Sequence, residues 1–384
     1  MSESRAPRRF DFPALIGLGI LNHTVLTGSR VTVSLYALDL GASALVVGLL
    51  IGLYAFLPML LAVAAGRLSD RVGVRNPMLL GSCGIAVGAV LPCIFPGLPV
   101  LFVSTSLIGV SFMLFQVSAQ NATGAVGGAS DRARNFSLLA LGYSISGFSG
   151  PLLAGFTIDQ AGFRTTFLVL AVLPLLPIFA LWRQMLRLPV TRVALPTATG
   201  DGVLAMFHNP HLRRVFLVNA LLSMAWDLHS FFIPLYGKTI GLSASRIGMI
   251  LAAFAAATFV VRLFMPRIAR IRTELQVLTT ALFTAGLVYA IFPLVHTPLV
   301  LMSLSFVLGL ALGSGQPMVM ALLHALAPVG RMGEAAGLRM SIVNASTFAV
   351  PLLFGAVGAT VGIAPVFWSV GAVLAGGGWL ARRT

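Results

Sequence analysis

The chain has 384 residues, of which 58% are apolar and only 9% charged, and its mean hydropathy is +0.98. A soluble domain puts charges at roughly a quarter to a third of its surface positions, so this composition excludes a water-facing globule. The formal net charge of +15 would suit a nucleic-acid partner only if the cations were clustered, and they are instead spread among short segments between apolar runs.

Those runs are long enough to cross a membrane, which takes roughly 20 helical residues. Twelve spans are predicted, near 12–36, 44–65, 77–95, 99–122, 134–158, 163–184, 214–237, 244–265, 276–293, 298–324, 335–358 and 364–381. The basic start, with Arg5, Arg8 and Arg9, resembles the head of a signal peptide. The run behind it is long, contains Asn22, His23 and Arg30 and lacks a small-residue cleavage site, so it is read as a retained first helix. If the first loop is cytoplasmic, all 25 lysines and arginines except Arg30, Arg164, Lys238 and Arg246 fall on that side or at its boundary. This positive-inside bias places both termini in the cytoplasm and requires an even number of crossings.

In span 1, His23, Thr27, Arg30 and Ser34 share one face. His23 lies near mid-depth, where it serves either as a proton exchanger or as a satisfied hydrogen-bonding group. Arg30 lies near the outer boundary, within snorkelling reach of water.

After span 2 comes Gly66-Arg67-Leu68-Ser69-Asp70-Arg71-Val72-Gly73-Val74-Arg75, a carboxylate among arginines with glycines where the chain must turn. Such a network either holds one conformation or merely fixes topology. Gly66, Leu68, Asp70, Arg71, Gly73 and Arg75 match the loop 2–3 signature of the major facilitator superfamily, Gly-x-Leu-x-Asp-Arg-x-Gly-Arg-Arg, and Val74 departs from it. The segment therefore resembles that family. The resemblance implies two pseudo-symmetric six-helix bundles, and a latch made by Asp70 and its arginines on the cytoplasmic side when the cavity opens outward. The second copy, Pro266-Arg267-Ile268-Ala269-Arg270, has lost the acid, so the latch is expected to be asymmetric.

Cys83 and Cys93, both in span 3, lie ten residues apart, about 15 Å of helix rise, which rules out a bridge between them. Span 4 offers Met113, Gln116 and Gln120 to a path. Span 5 offers Tyr143 and Ser144, followed by Ser146-Gly147-Phe148-Ser149-Gly150-Pro151-Leu152-Leu153-Ala154-Gly155. That string resembles the Gly-x-x-x-Gly-Pro-x-x-Gly-Gly element of antiporters in the drug-efflux branch, with Ser146 and Ala154 in place of two glycines. Close packing of small residues would produce the same string. The span 4 arginine of proton-coupled relatives is absent, because Thr105 stands where it is expected.

The polar stretch 186–212, with Pro189, Pro196, Gly200 and Gly202, reads as a linker between bundles at 1–185 and 213–384. Of the ten acidic residues only Asp227 falls well inside a span, about 20 Å along span 7. A charge at that depth costs several kcal/mol (order of magnitude) unless paired, hydrated or protonated. Asn219, Ser223, Asp227 and Ser230 share a polar face. Asp227 is expected to be a proton carrier or cation-binding group, the other reading being a helix–helix hydrogen bond. Trp226 beside it, Gln316 and Met320 in span 10 and Asn344 in span 11 complete an apolar and aromatic path suited to an amphipathic organic solute. Arg339, one turn into span 11, either snorkels or forms a cytoplasmic gate with Glu334.

Shifted by 200 residues, the chain lies over itself. Leu35-Tyr36 falls on Leu235-Tyr236, Gly48 on Gly248, Thr27 on Asp227, and Ser146-x-Phe148-x-x-Pro151-Leu152-Leu153-x-Gly155 on Ser346-x-Phe348-x-x-Pro351-Leu352-Leu353-x-Gly355. Parallel repeats in a membrane chain point to a transporter whose path runs between the halves.

No phosphate-binding loop, His-Glu-x-x-His, Cys-x-x-Cys or Gly-x-Ser-x-Gly occurs, so no enzyme, cofactor or metal is expected. The expectation is an all-α membrane protein with twelve transmembrane helices in an inner membrane, acting as a monomer on a small organic solute and protons. Efflux is the preferred mode and uptake by symport the alternative. From another class, a non-transporting sensor or a lipid-handling protein would share these features.

Overall fold

The computed structural model describes residues 11–125, 129–188, 206, 208–327 and 332–382, and the side chains of 62, 63, 70, 129–133, 324, 332–334, 336 and 337 lie outside that description. Thirteen α-helices follow one another in these residues. They are α1 (Phe12–Asp39), α2 (Ala44–Val72), α3 (Arg75–Ile94), α4 (Leu98–Gly124), α5 (Ala129–Val172), α6 (Leu175–Trp182), α7 (Pro210–Thr239), α8 (Ala244–Ile271), α9 (Glu274–Ile291), α10 (Pro298–Gly313), α11 (Gly315–Leu326), α12 (Met332–Val361) and α13 (Ile363–Arg382). They make the twelve expected crossings by two departures from one helix per crossing. Spans 5 and 6 run together through α5, which reverses at Gly162 with a φ of 78° and finishes its second crossing in α6, and span 10 is broken at Ser314 into α10 and α11.

Local chemistry sets the helix ends, and the repeat sets it twice. Gly41 and Gly241 take φ of 81° and 74°, and Ser43 and Ser243 then cap α2 and α8 by accepting from the Val46 and Arg246 amides, each at 3.4 Å. The loop after α2 is shorter than expected, since α2 continues to Val72 and Gly73, φ 80°, turns the chain directly into α3. Large apolar side chains such as Leu80, Leu263 and Leu299 are more than half exposed on the outer surface, where hydrocarbon replaces water.

The two halves meet mainly at the face remote from the chain ends. Here α2 packs on α12 and α8 on α5, through one motif used twice. A Cβ on Gly48 would collide with the Pro351 carbonyl and one on Gly248 with the Pro151 carbonyl, while Gly155 and Gly355 lie equally close to the Ala244 and Ala44 carbonyls. The span 5 string with Gly155 is thus a contact between the bundles, not only packing inside one. The carboxylate of Asp159 reinforces it by accepting from the Ala244 and Ser245 amides at 3.0 and 2.8 Å and from the Ser245 hydroxyl, which caps α8 from the other bundle. An exposed pair, Lys238 with Asp39 at 3.3 Å, closes α7 against α1 at the same end. Towards the face carrying Phe12 and Arg382 the halves part, and a cavity opens between them.

Most of the linker 186–212 lies outside the described residues, and α7 begins at Pro210, a turn earlier than expected. Cys83 and Cys93 are free thiols, the latter donating to the Arg164 carbonyl at 3.5 Å.

Candidate functional site: the cavity between the repeats

The cavity has a volume of about 480 Å³ and draws its lining from α1, α2 and α4 of the first half and α7, α8, α10, α11 and α12 of the second. It continues into a side chamber of about 250 Å³ between α1 and α5 on one wall and α7 and α8 on the other. Together they are in the range of small-molecule sites, a few hundred Å³.

Asp227 reaches the cavity wall with 5% of its surface exposed. Ser346 Oγ donates to its Oδ2 at 2.9 Å and the Thr347 hydroxyl lies 3.2 Å from Oδ1, so α7 is tied to α12 through a carboxylate. In the first half the Thr27 hydroxyl, at the equivalent place, donates to the Ser146 carbonyl at 3.0 Å and ties α1 to α5. The acid thus occupies a helix–helix contact that the other repeat makes with a neutral hydroxyl. Both readings of Asp227, as a bridge and as a group facing the path, describe the same geometry.

His23 sits over that first-half contact, its Nδ1 2.5 Å from Ser146 Oγ and its ring 4.8 Å from that of Tyr143. Gly150 makes this possible, since a Cβ there would strike the Thr27 hydroxyl. Tyr143, Ser144, Thr27 and Trp226 line the side chamber. Gln116, Gln316, Asn344 and again Trp226 line the main cavity. Met320 does not reach it and packs into the core of the second half. His229 departs from Asp227 as their spacing requires, stacking on Phe254 at 4.4 Å and bonding Ser305 Oγ at 3.0 Å through Nε2.

Three arginines change the character of the site. Arg30, expected to snorkel at the outer boundary, instead lines both chambers, and its Nη2 is buried without a hydrogen-bond partner. The distal ends of the bundles are closed by the Gly48–Pro351 and Gly248–Pro151 contacts, and Arg30 lies on the cavity side of that closure. Arg339 is 8% exposed and turned to the same cavity. Arg262 of α8, grouped by sequence with the cytoplasmic boundary, reaches across to the first half, where its Nη1 donates to Ser144 Oγ at 2.8 Å and its Nη2 to Gln316 Oε1 at 3.4 Å. Its one advance signal was a lone arginine inside the apolar run Phe259-Val260-Val261-Arg262-Leu263-Phe264.

The expected gate is only partly visible. Arg75 donates to the Leu186 carbonyl at 2.8 Å, inside its own half, Arg71 is exposed, and Gly66 lies within α2. The side chains of Asp70 and Glu334 lie outside the described residues. Among the described residues no three His, Cys, Asp or Glu side chains are gathered to hold a metal.

Comparison with known proteins places this geometry among relatives. The family model described as Major Facilitator Superfamily matches residues 15–351. The multidrug resistance protein MdtG of Dickeya zeae (strain Ech586) is 25% identical over 83% of this chain and 80% of its own length. The class C tetracycline resistance protein of Escherichia coli is 33% identical, over 33% of this chain and 31% of that protein, so this match spans about a third of the relative's length. The crystal structure of a POT family transporter in complex with a thioalcohol-conjugated peptide superposes with a TM-score of 0.80 at 14% identity, covering 96% of this chain and 94% of that one, a likeness of fold.

Proposed function

We infer the function from one premise: the chain belongs to the Major Facilitator Superfamily. It is a multi-pass membrane transporter rather than an enzyme. Within that frame we propose proton-coupled efflux of a small amphipathic organic molecule by alternating access, carried out by a monomer in a bacterial-type inner membrane with both termini cytoplasmic. On this reading the conformation described is the inward-facing one, loading from the cytoplasm.

The observation that carries the proton is Asp227. Among the described residues it is the one carboxylate lining the cavity, and its hydrogen bonds to Ser346 and Thr347 link α7 to α12, the helix that also packs on α2 across the bundle interface. Loss of charge at Asp227 would remove charge-assisted bonds of about 1.5–3 kcal/mol each in favour of neutral ones, which is enough to bias two packings that differ by a few kcal/mol. Efflux is supported by the two relatives above, a tetracycline and a multidrug resistance protein.

The experiment is pH-jump flux in proteoliposomes of purified protein with a pH dye inside. Proton movement opposite to a solute supports the proposal. Movement with the solute assigns symport and uptake instead, and flux of solute without protons removes Asp227 from the coupling role.

A further inference from the structure

The charge balance of the cavity is opposite to what its one acid suggests. Among the described residues three guanidiniums, those of Arg30, Arg262 and Arg339, line it against the single carboxylate of Asp227. That carboxylate accepts from the neutral hydroxyls of Ser346 and Thr347 and offsets one of the three cations. Among the described residues no carboxylate comes within 4 Å of any of the three arginines, the one such ion pair being the remote Lys238–Asp39. Cations inside a membrane protein are costly and are retained where they meet a partner or do work. Among the described residues none of the three has a carboxylate in direct contact.

The donors are also arranged to receive. Arg262 donates from its two terminal nitrogens to neutral acceptors, Ser144 and Gln316, which orient the fork without cancelling its charge and use one N–H of each nitrogen. Arg30 Nη2 and Arg339 Nε are buried with no hydrogen-bond partner, a costly condition that an incoming acceptor would relieve. Next to these heads the side chamber carries an aromatic wall, with the Trp226 ring edge-on to Phe254 at 4.7 Å. A planar fork matches a carboxylate or phosphate through paired hydrogen bonds, and a neighbouring aromatic wall takes an apolar body.

We propose that the cavity selects an organic anion, a carboxylate or phosphate on an apolar body, whose charged group is taken by Arg262 together with Arg30 while its body lies against Trp226 and Phe254. This deepens the transport reading and rests on it for the route, though not for the binding chemistry. It replaces the cationic solute that Asp227 alone would indicate.

The test is equilibrium binding to the full-length protein in phosphatidylcholine nanodiscs, using four probes with one aromatic body: 2-naphthoate, 2-naphthyl phosphate, 2-naphthylmethanol and 2-naphthylmethylammonium. Both anions are expected to bind at least about tenfold more tightly than the alcohol and the amine, since a hydrogen bond to a charged group is worth at least that factor. Arg262→Gln is expected to weaken the anions about tenfold and the alcohol by less than about twofold, with Arg262→Lys intermediate. The proposal is overturned if the amine binds tightest, if all four bind alike, if none binds, or if Arg262→Gln weakens all four equally. Should that variant fail to fold, the wild-type series decides by itself. Loss of naphthoate binding when phosphatidylglycerol replaces part of the phosphatidylcholine would give the site to a lipid headgroup and overturn a soluble solute. Flux separates the two levels: anion binding without transport defeats the transport reading alone, whereas transport that prefers the amine defeats the anion site alone.

Discussion

Gly48 of α2 rests against the Pro351 carbonyl of α12 with no room between them for a Cβ. The repeat makes the same approach between Gly248 and Pro151, so the distal closure of the two bundles is a pair of backbone contacts related by pseudo-symmetry.

Replacing Gly48 with alanine should therefore act on conformation rather than on binding. Overpacking at a rigid carbonyl costs about 1–3 kcal/mol, and that cost falls only on the state in which the distal face is closed. The expected outcome is a longer distance between spin labels at Leu40 and Val361, both exposed at that face. An unchanged distance distribution would show that the contact does not set the equilibrium.

Two polar links close the same face and should differ in weight. The Asp39–Lys238 pair is about half exposed on both sides, so Asp39→Asn should change stability by less than about 1 kcal/mol. Asp159 caps the α8 amides from the opposite bundle, and Asp159→Ala should cost about 0.5–2 kcal/mol of the closed state. Thermal unfolding and the label distance measured on both variants check the order, and a larger effect at Asp39 would reverse it.

Asp227→Asn keeps the side chain's shape and an acceptor for Ser346, so insertion and counterflow should persist while proton-driven transport is abolished and flux becomes independent of the imposed pH gradient. Driven flux equal to wild type at every pH would remove Asp227 from coupling.

Asp70→Asn is expected to slow turnover several-fold while leaving solute affinity unchanged, because the latch that the family resemblance assigns to it belongs to the state in which the cavity opens outward. Unchanged turnover together with unchanged accessibility of both faces would leave the loop a topological role only.

How much of this was readable in advance divides along a physical line. Span number, the repeat and the family resemblance follow from properties local in sequence. Hydropathy reports where helices are forced to satisfy their own backbones, and an offset of 200 residues reports duplication whatever the packing. The small-residue string around Pro151 was also legible, though not its partner, because which helix a glycine stripe meets is decided by a surface far along the chain. Asp227 stood out because an intramembrane acid is rare. His23 and Thr27 were set on one face by helical spacing, whereas Tyr143, Gln116 and Asn344 were set on the path through the symmetry of the repeat.

The arginines were misplaced for a related reason. Sequence measures a cation's distance from a span's end, and by that measure Arg30 and Arg262 belong near boundaries. What receives their charge in the molecule is the cavity between the bundles, which helix packing across the two halves creates. The sequence by itself determined a duplicated twelve-span transporter with one buried acid. Only the tertiary structure decided that three guanidiniums line one cavity with that acid, because side chains from α1, α8 and α12 share it through helix packing, and helix packing is not encoded in the spacing of any one of them.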